Sequence, residues 1–432
     1  MENRDDNLRS RAGRLAGSAL KYCWTAALWT AAALVIGGIC GGIGAGFAKL
    51  LQLVTGLRES NGWMIYLLPA AGVVIVGLYR ACRMNEDKGT NLVIKSIRAA
   101  ENDKEAHITI LTAPLIFAGT VLTHMFGGSA GREGAALQIG GSVGAWIGKV
   151  MRMGEKTVKT FTICGMAAVF SALFGTPVTA AIFSMEVVSV GIMYYSAFLP
   201  AIISSLFAAW ISRLCGCAPT AFALTSAPQA TVWLYVRIAL LAAATAAVSI
   251  VFIAAMHATG HLAAKWIKNP YLRAAVGGAL IIGLTLIVGN GDYNGAGGEI
   301  IAQAIEQGKA APWAFALKIV FTAITLGFGF KGGEIVPAFF CGATFGCAVG
   351  PLLGLDPGFS AAVGLIALFC GVVNCPLASL ILSAELFGAD TLLLFAPVCA
   401  VSYVMSGYFG LYSSQNIVYS KLKNEYINKK VG

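Results

Sequence analysis

The chain has 432 residues, 57% of them hydrophobic and only 12% charged, with a mean hydropathy of +0.76 and a formal net charge of +10. That leaves too little polar surface to cover a soluble domain of this length, so a soluble enzyme is excluded. The basic excess is gathered at the two ends, which suits anionic lipid and implies no nucleic-acid partner.

Arg4, Arg9, Arg11, Arg14 and Lys21 precede the first apolar run, and Lys421, Lys423, Lys429 and Lys430 follow the last. By the positive-inside rule both ends are expected on the cytoplasmic side of the cell membrane, with an even number of crossings between them. The first run, Tyr22 to Gly46, is too long for a signal-peptide core. The first predicted span, Trp24 to Phe47, begins in it, and Trp233 to Met256 and the extended Thr391 to Met405 predict others, against a hydrocarbon core of about 30 Å. Short alternating strands of a barrel are not seen, so the spans are predicted to be helices.

Several apolar segments are too short or too interrupted to cross alone. His107 to Gly127 runs into Gly127-Gly-Ser-Ala-Gly131, and Ala314 to Gly329 runs into Gly332-Gly333. The 52 glycines cluster at Gly37–Gly46, Gly127–Gly144 and Gly327–Gly350, where they permit close helix approach and mid-membrane breaks. Corresponding breaks in two halves point to a transporter's binding site, and the halves do correspond. Pro177-Val-Thr-Ala-Ala-Ile-Phe-Ser-Met-Glu186 parallels Pro376-Leu-Ala-Ser-Leu-Ile-Leu-Ser-Ala-Glu385, 199 positions on (186 to 385). Glu133 and Gly141 parallel Glu334 and Gly342, which pairs Glu133 with Glu334 at an offset of 201 (133 to 334). An internal duplication follows.

Charges at membrane depth are costly and so mark function unless they are paired. Glu133 follows a glycine-rich break that opens a helix. A helix start offers free N–H groups and a positive dipole end, which together form an anion site. A carboxylate there can act as a tethered anion that leaves on protonation. Glu334 repeats the arrangement, so two helix starts are expected to face one anion. Glu186 and Glu385, inside helices, read as a symmetric structural contact, and Lys331 as a partner of Glu334 or of lipid phosphate. His257 and His261 are spaced like a metal pair, but no thiolate or carboxylate cluster accompanies them, and the eleven cysteines form no C-x-x-C motif. No metal or cofactor is expected. The glycine-rich stretches lack the lysine and strand of a P-loop.

At these residues the chain resembles the CLC family of anion channels and exchangers over nearly its whole length. Gly131-Arg132-Glu133-Gly134 resembles the GREGP signature, whose glutamate is the gate, and Gly332-Gly-Glu-Ile335-Val336-Pro337 resembles GGxFxP. Ile417-Val-Tyr419-Ser420 resembles the segment carrying an anion-contacting tyrosine, with Tyr412 as a rival for that role. The resemblance implies an all-α membrane protein built as an inverted repeat of broken helices. It also implies a homodimer with one pathway per subunit. The expected organisation is one transmembrane domain over 1–432. Residues 1–21 form an N-terminal segment, about 22–215 and 230–415 the half-repeats, and 416–432 a C-terminal helix or tail, with no cytoplasmic regulatory domain.

The departures narrow the reading. The family's GSGIP is replaced by Gly89-Thr90-Asn91-Leu-Val93, the proline of GREGP by Ala135, and the phenylalanine of GGxFxP by Ile335 beside an added Glu334. Chloride/proton exchangers carry a second proton glutamate where this chain has Val187. This set is similar to the fluoride-exporting branch. The expectation is therefore a fluoride/proton antiporter driven by the inward proton gradient. Glu133 serves as gate and proton carrier and Glu334 as the second acid. Thr90, Asn91, Gly131, Arg132, Gly134, Ile335, Val336 and Tyr419 surround the anion. A chloride/proton exchanger and a passive anion channel are the alternatives.

Overall fold

The computed structural model describes residues 2–84, 89–100, 103, 108–224 and 228–431, with side chains from residue 19 onward. His107 and the side chains of Arg4, Arg9, Arg11 and Arg14 lie outside the described set.

The first half comprises α1 (Glu2–Ser60), α2 (Leu68–Ala81), α3 (Thr90–Arg98), α4 (Thr112–Met125), α5 (Glu133–Val150), α6 (Glu155–Phe174), α7 (Pro177–Glu186) and α8 (Phe198–Leu214). The second comprises α9 (Val232–Trp266), α10 (Pro270–Val288), α11 (Gly298–Glu306), α12 (Ala314–Gly327), α13 (Ile335–Val349), α14 (Pro357–Val373), α15 (Pro376–Phe387) and α16 (Leu392–Met405). Among the described residues, seven helical segments are long and apolar enough to cross a membrane, and five apolar helices are shorter. This is an all-α, multi-span fold. Helix α1 runs unbroken through the expected boundary at residue 21, because nothing between Glu2 and Ser60 stops it.

The C-terminal residues differ from expectation. Instead of a helix, β2 (Asn416–Tyr419) and β3 (Tyr426–Lys430) pair antiparallel, and β2 also pairs parallel with β1 (Ser189–Val190) after α7. The run of Ile417, Val418 and Tyr419, rich in β-branched and aromatic residues, favours a strand over a helix.

The repeat is visible in hydrogen bonds that occur twice. Ser129 N donates to Thr325 Oγ1 at 3.0 Å, and 202 positions on (129 to 331) Lys331 N donates to Thr123 Oγ1 at 3.2 Å. Each helix before the break thus holds the loop of the other half. The breaks themselves fall at Gly127 and Gly329, both with positive φ (86° and 107°), which a residue with a side chain adopts poorly. Glycines then bring α5 onto α6 and α13 onto α14. A Cβ on Gly140 would meet Gly165 O at 2.1 Å, and one on Gly342 would meet Gly364 O at 2.3 Å.

Helices α7 and α15 cap one another. Glu186 Oε1 and Oε2 accept from Leu377 N and Ala378 N at 3.2 and 2.8 Å, and Glu385 accepts from Val178 N and Thr179 N at 3.0 and 2.9 Å. Each carboxylate satisfies free amides at the start of the other helix, behind a proline that had no amide to offer. The symmetric contact read from the sequence is this exchange of caps.

Candidate functional site

Two helix starts are stitched together at the centre of the repeat. Gly131 N donates to Gly333 O at 2.7 Å and Gly333 N to Gly131 O at 2.8 Å, an isolated antiparallel bridge between the loops that open α5 and α13. The bridge fixes a register of 202 (131 to 333), which corrects the offset of 201 read from the two glutamates. Helix α5 begins at Glu133 with Arg132 as N-cap, and α13 begins at Ile335 with Glu334 as N-cap. Glu334 is therefore the counterpart of Arg132, and Glu133 the counterpart of Ile335. Matching by residue type slid the alignment by one because both loops carry a glutamate at almost the same place.

The Glu133 side chain is fully buried. One carboxylate oxygen accepts from Arg132 N at 3.0 Å, and the other reaches across to accept from Val336 N at 3.1 Å, in the first turn of α13. The carboxylate thus occupies the amide end of the opposite helix, the position that attracts an anion. Two glycines make room for it. A Cβ on Gly131 would lie 2.2 Å from Glu133 Oε2, and one on Gly333 would lie 2.9 Å from the same oxygen.

Around this centre stand several residues expected from sequence. Thr90 Oγ1 donates to Gly134 O at 3.4 Å and accepts from Gln138 Nε2 at 3.5 Å, tying α3 to the first turns of α5. Asn91 spends its carbonyl elsewhere, accepting from Ser414 N at 2.9 Å, and Arg98 also binds the Ser414 carbonyl. Both hold the 411–415 loop against α3. Arg132 turns away from the bridge: it donates to Leu173 O at 3.2 Å, and its guanidinium lies over the Phe174 ring, 5.5 Å from the centroid. Glu334 is partly buried and makes no side-chain cap to α13. Ile335 beside it is buried.

The tyrosine is the misplaced expectation at this site. Tyr419 sits on β2, 46% exposed, with its ring against Tyr426 at 5.8 Å, in the C-terminal sheet. Tyr412 is only 2% exposed, its hydroxyl has no hydrogen-bond partner among the described residues, and it lies within electrostatic range of Glu334 and Glu133. A buried hydroxyl without a partner is costly and asks for one. The strand from Asn416 carries the later tyrosine away, so the earlier one is left near the glutamates.

Sequence reading passed over His124 and Lys318. His124 Nε2 lies 3.2 Å from Gly131 O and so steadies the bridged loop. Lys318 is fully buried in α12, donates to Tyr293 O and Gly295 O at 3.1 and 2.8 Å, and faces the Phe340 ring at 5.0 Å. A lysine amid Ala314–Gly327 is the kind of intramembrane charge that should draw notice; here carbonyls and a ring satisfy it. His257 binds Leu411 O at 3.2 Å, and no group of three metal-ligating side chains occurs among the described residues.

A cavity of about 1370 Å³ approaches the bridge from one side, with Arg132, His124, Val336 and Phe339 in its wall and Arg58 and Glu59 at the end of α1. The cavity thus reaches the Val336 turn that Glu133 occupies.

Known proteins resemble this chain over most of its length. Residues 71–407 match the family described as voltage gated chloride channel. Over 401 residues the chain is 33% identical to a chloride/fluoride channel protein of Pseudomonas syringae pv. tomato, covering 91% of this chain and 88% of that one. The crystal structure of a CLC-type fluoride/proton antiporter superposes with a TM-score of 0.86 at 30% identity, covering 90% of this chain and 98% of that one. A slow cyanobacterial Cl⁻/H⁺ antiporter, 18% identical with a TM-score of 0.76, shares the fold. With its duplicated broken helices and a glutamate lodged between two helix starts, the chain belongs to the CLC family of membrane ion channels and transporters, and it is not an enzyme.

Proposed function

We propose that the protein exports fluoride in exchange for protons, with Glu133 as both gate and proton carrier. The observation that carries the reading is the Glu133 carboxylate on Val336 N, at 3.1 Å, where a free anion would otherwise bind. Protonation removes the charge that holds it there, so the side chain leaves and fluoride takes the amide. Loss of the proton returns it and displaces the ion. One group thus alternates between two cargoes, and Val187, fully buried with its carbonyl accepting from Gln415 Nε2 at 3.0 Å, needs no acidic side chain.

Fluoride holds its water tightly, so a site for it needs close, fixed donors. The Val336 amide and the Tyr412 hydroxyl supply that kind of donor, with Glu334 as a second acid beside them and Thr90 holding the first turns of α5 in place. The antiport named for the CLC-type fluoride/proton antiporter and the fluoride in the name of the Pseudomonas relative support this choice of ion. We place both termini in the cytoplasm, following the basic ends, and the protein in the cell membrane as a homodimer with one pathway per subunit.

The test is efflux from liposomes loaded with fluoride or chloride, with the outside pH recorded. Fluoride should leave much faster than chloride and drive protons the opposite way. Equal efflux of the two anions would favour a chloride/proton exchanger, and efflux without proton movement a passive channel.

A further inference from the structure

Away from the gate, a second cavity of about 450 Å³ lies among the end of α2, the Trp266–Pro270 turn, the start of α10 and the end of α12. Four basic side chains line it, Arg80, Lys268, Arg273 and Lys331, and no carboxylate does among the described residues. Like charges collected in one cavity repel. Local aromatics offset part of it: Arg80 lies over Tyr271 at 4.8 Å and Lys331 over Tyr79 at 4.2 Å. Arg273 is not so served, since its Nε is buried without a hydrogen-bond partner among the described residues.

The cavity's edge is built for a lipid boundary. Trp266 is 78% exposed and Leu272 56% exposed beside it, with Leu78 exposed on the neighbouring face of α2. An exposed tryptophan next to lysines and arginines at helix ends marks a membrane–water interface. Basic pockets between helices at such an interface accept anionic head groups. Small residues let the walls close tightly above it: a Cβ on Gly72 of α2 would lie 3.0 Å from Ala274 Cβ of α10. The ligand must therefore enter from the interface rather than along the helices.

We infer that this cavity binds a phosphate-bearing anion, with Arg80, Lys268 and Arg273 as its ligands, supplied by an anionic phospholipid head group or by free phosphate. The site is separate from the gate and does not depend on which anion the protein transports.

The experiment uses the full-length purified protein, stripped of lipid and then mixed with phosphatidylglycerol, phosphatidylcholine or inorganic phosphate. Retained lipid is counted by native mass spectrometry, and thermal unfolding reports phosphate. Wild type should hold phosphatidylglycerol in preference to phosphatidylcholine. The Arg80→Gln/Lys268→Gln/Arg273→Gln variant, losing three interfacial charges, should retain it about a hundredfold less. If phosphate raises the unfolding temperature of wild type but not of the variant, and no lipid is retained, the source is the free anion. Arg80→Gln alone, a surface change, gives an intermediate loss and serves if the triple variant does not fold. Equal retention of the two lipids by wild type, with no response to phosphate, overturns the inference, as does unchanged binding in both variants.

Discussion

The two pairs of duplicated helix starts have diverged to different degrees. At α7 and α15 both backbone and chemistry are retained: a proline opens each helix, and a glutamate nine residues on caps the other. At α5 and α13 only the backbone is retained. The bridge, the N-caps and the register of 202 match, but the side chains read Arg132-Glu133 in one half and Glu334-Ile335 in the other. The retained pair holds the halves together and needs symmetry to do so. The altered pair holds a single carboxylate over a single site, which two equal glutamates at N1 would contest. Symmetry in this molecule marks scaffold, and its loss marks the place where, on the function proposed above, an ion is handled.

The sharpest way to break that comparison is to neutralise the residue that has no acidic counterpart. Glu133→Gln keeps the shape but offers a neutral amide, which neither competes as an anion nor carries a proton at ordinary pH. Fluoride-driven proton uptake into sealed vesicles at zero voltage should fall to the level of protein-free vesicles. Strong pumping by the variant would assign the proton to another group, with Glu334 first in line.

Glu334 provides the next test. As counterpart of Arg132 it is an N-cap position, yet its own side chain makes no cap, and the Val336 amide in the first turn of α13 is met by Glu133 instead. Glu334→Ala should slow fluoride turnover by about 10- to 100-fold, the range for loss of one charged interaction. Size-exclusion chromatography should show an unchanged oligomer. Unaltered turnover in a well-folded variant would reduce Glu334 to a structural acid and leave the two helix starts unlike in sequence only.

Much of this contrast was legible in the sequence. Helix breaks follow from glycine clusters in apolar runs, and the caps at Glu186 and Glu385 from two matching ten-residue stretches. The register at the gate was not legible, because pairing glutamate with glutamate outscored the true pairing of Glu133 with Ile335. Only the backbone bridge from Gly131 to Gly333 decides it. The tyrosine failed for another reason. Local pattern placed Tyr419 in an expected motif, but the strand at Asn416–Tyr419 pairs with β1 and β3 and takes it out to the surface. Which of two tyrosines meets a site 279 residues away in the chain (133 to 412) is set by tertiary packing, to which local pattern is blind. Lys318 was passed over although a lysine amid Ala314–Gly327 is itself a signal; what the sequence did not carry was its partners, which are backbone carbonyls.

The tyrosine pair predicts a smaller effect. Tyr412→Phe removes a hydroxyl that has no other partner among the described residues, so any loss reports on its contact with the ion. One hydrogen bond is worth about 0.5–1.5 kcal/mol, so apparent fluoride affinity should weaken by about 2- to 10-fold. Tyr419→Phe, on the exposed strand, should match wild type in the same efflux assay. The reverse result would return the site to the C-terminal segment.

The smallest effect on transport is expected where the halves agree most. Glu186→Gln and Glu385→Gln each leave an amide oxygen to accept one N–H but remove the charge and the second acceptor from a helix start. Loss of such a cap costs about 0.5–2 kcal/mol. The two losses should be alike because the contacts are alike, with distances of 3.2 and 2.8 Å on one side and 3.0 and 2.9 Å on the other. Burial separates them slightly, since Glu186 is the more enclosed carboxylate and its variant should unfold at the lower temperature of the two. Neither should alter the number of protons moved per fluoride, because each carboxylate caps α7 or α15 and not the first turn of α13. The measurement is the unfolding midpoint of each variant, paired with its proton-to-fluoride ratio in vesicles. If Glu186→Gln changes that ratio while Glu385→Gln leaves it intact, the exchange of caps is more than scaffold on the Glu186 side. Retained symmetry would in that case have hidden a second proton-handling residue next to Val187, and the rule that symmetry marks scaffold would fail at the pair that now supports it best.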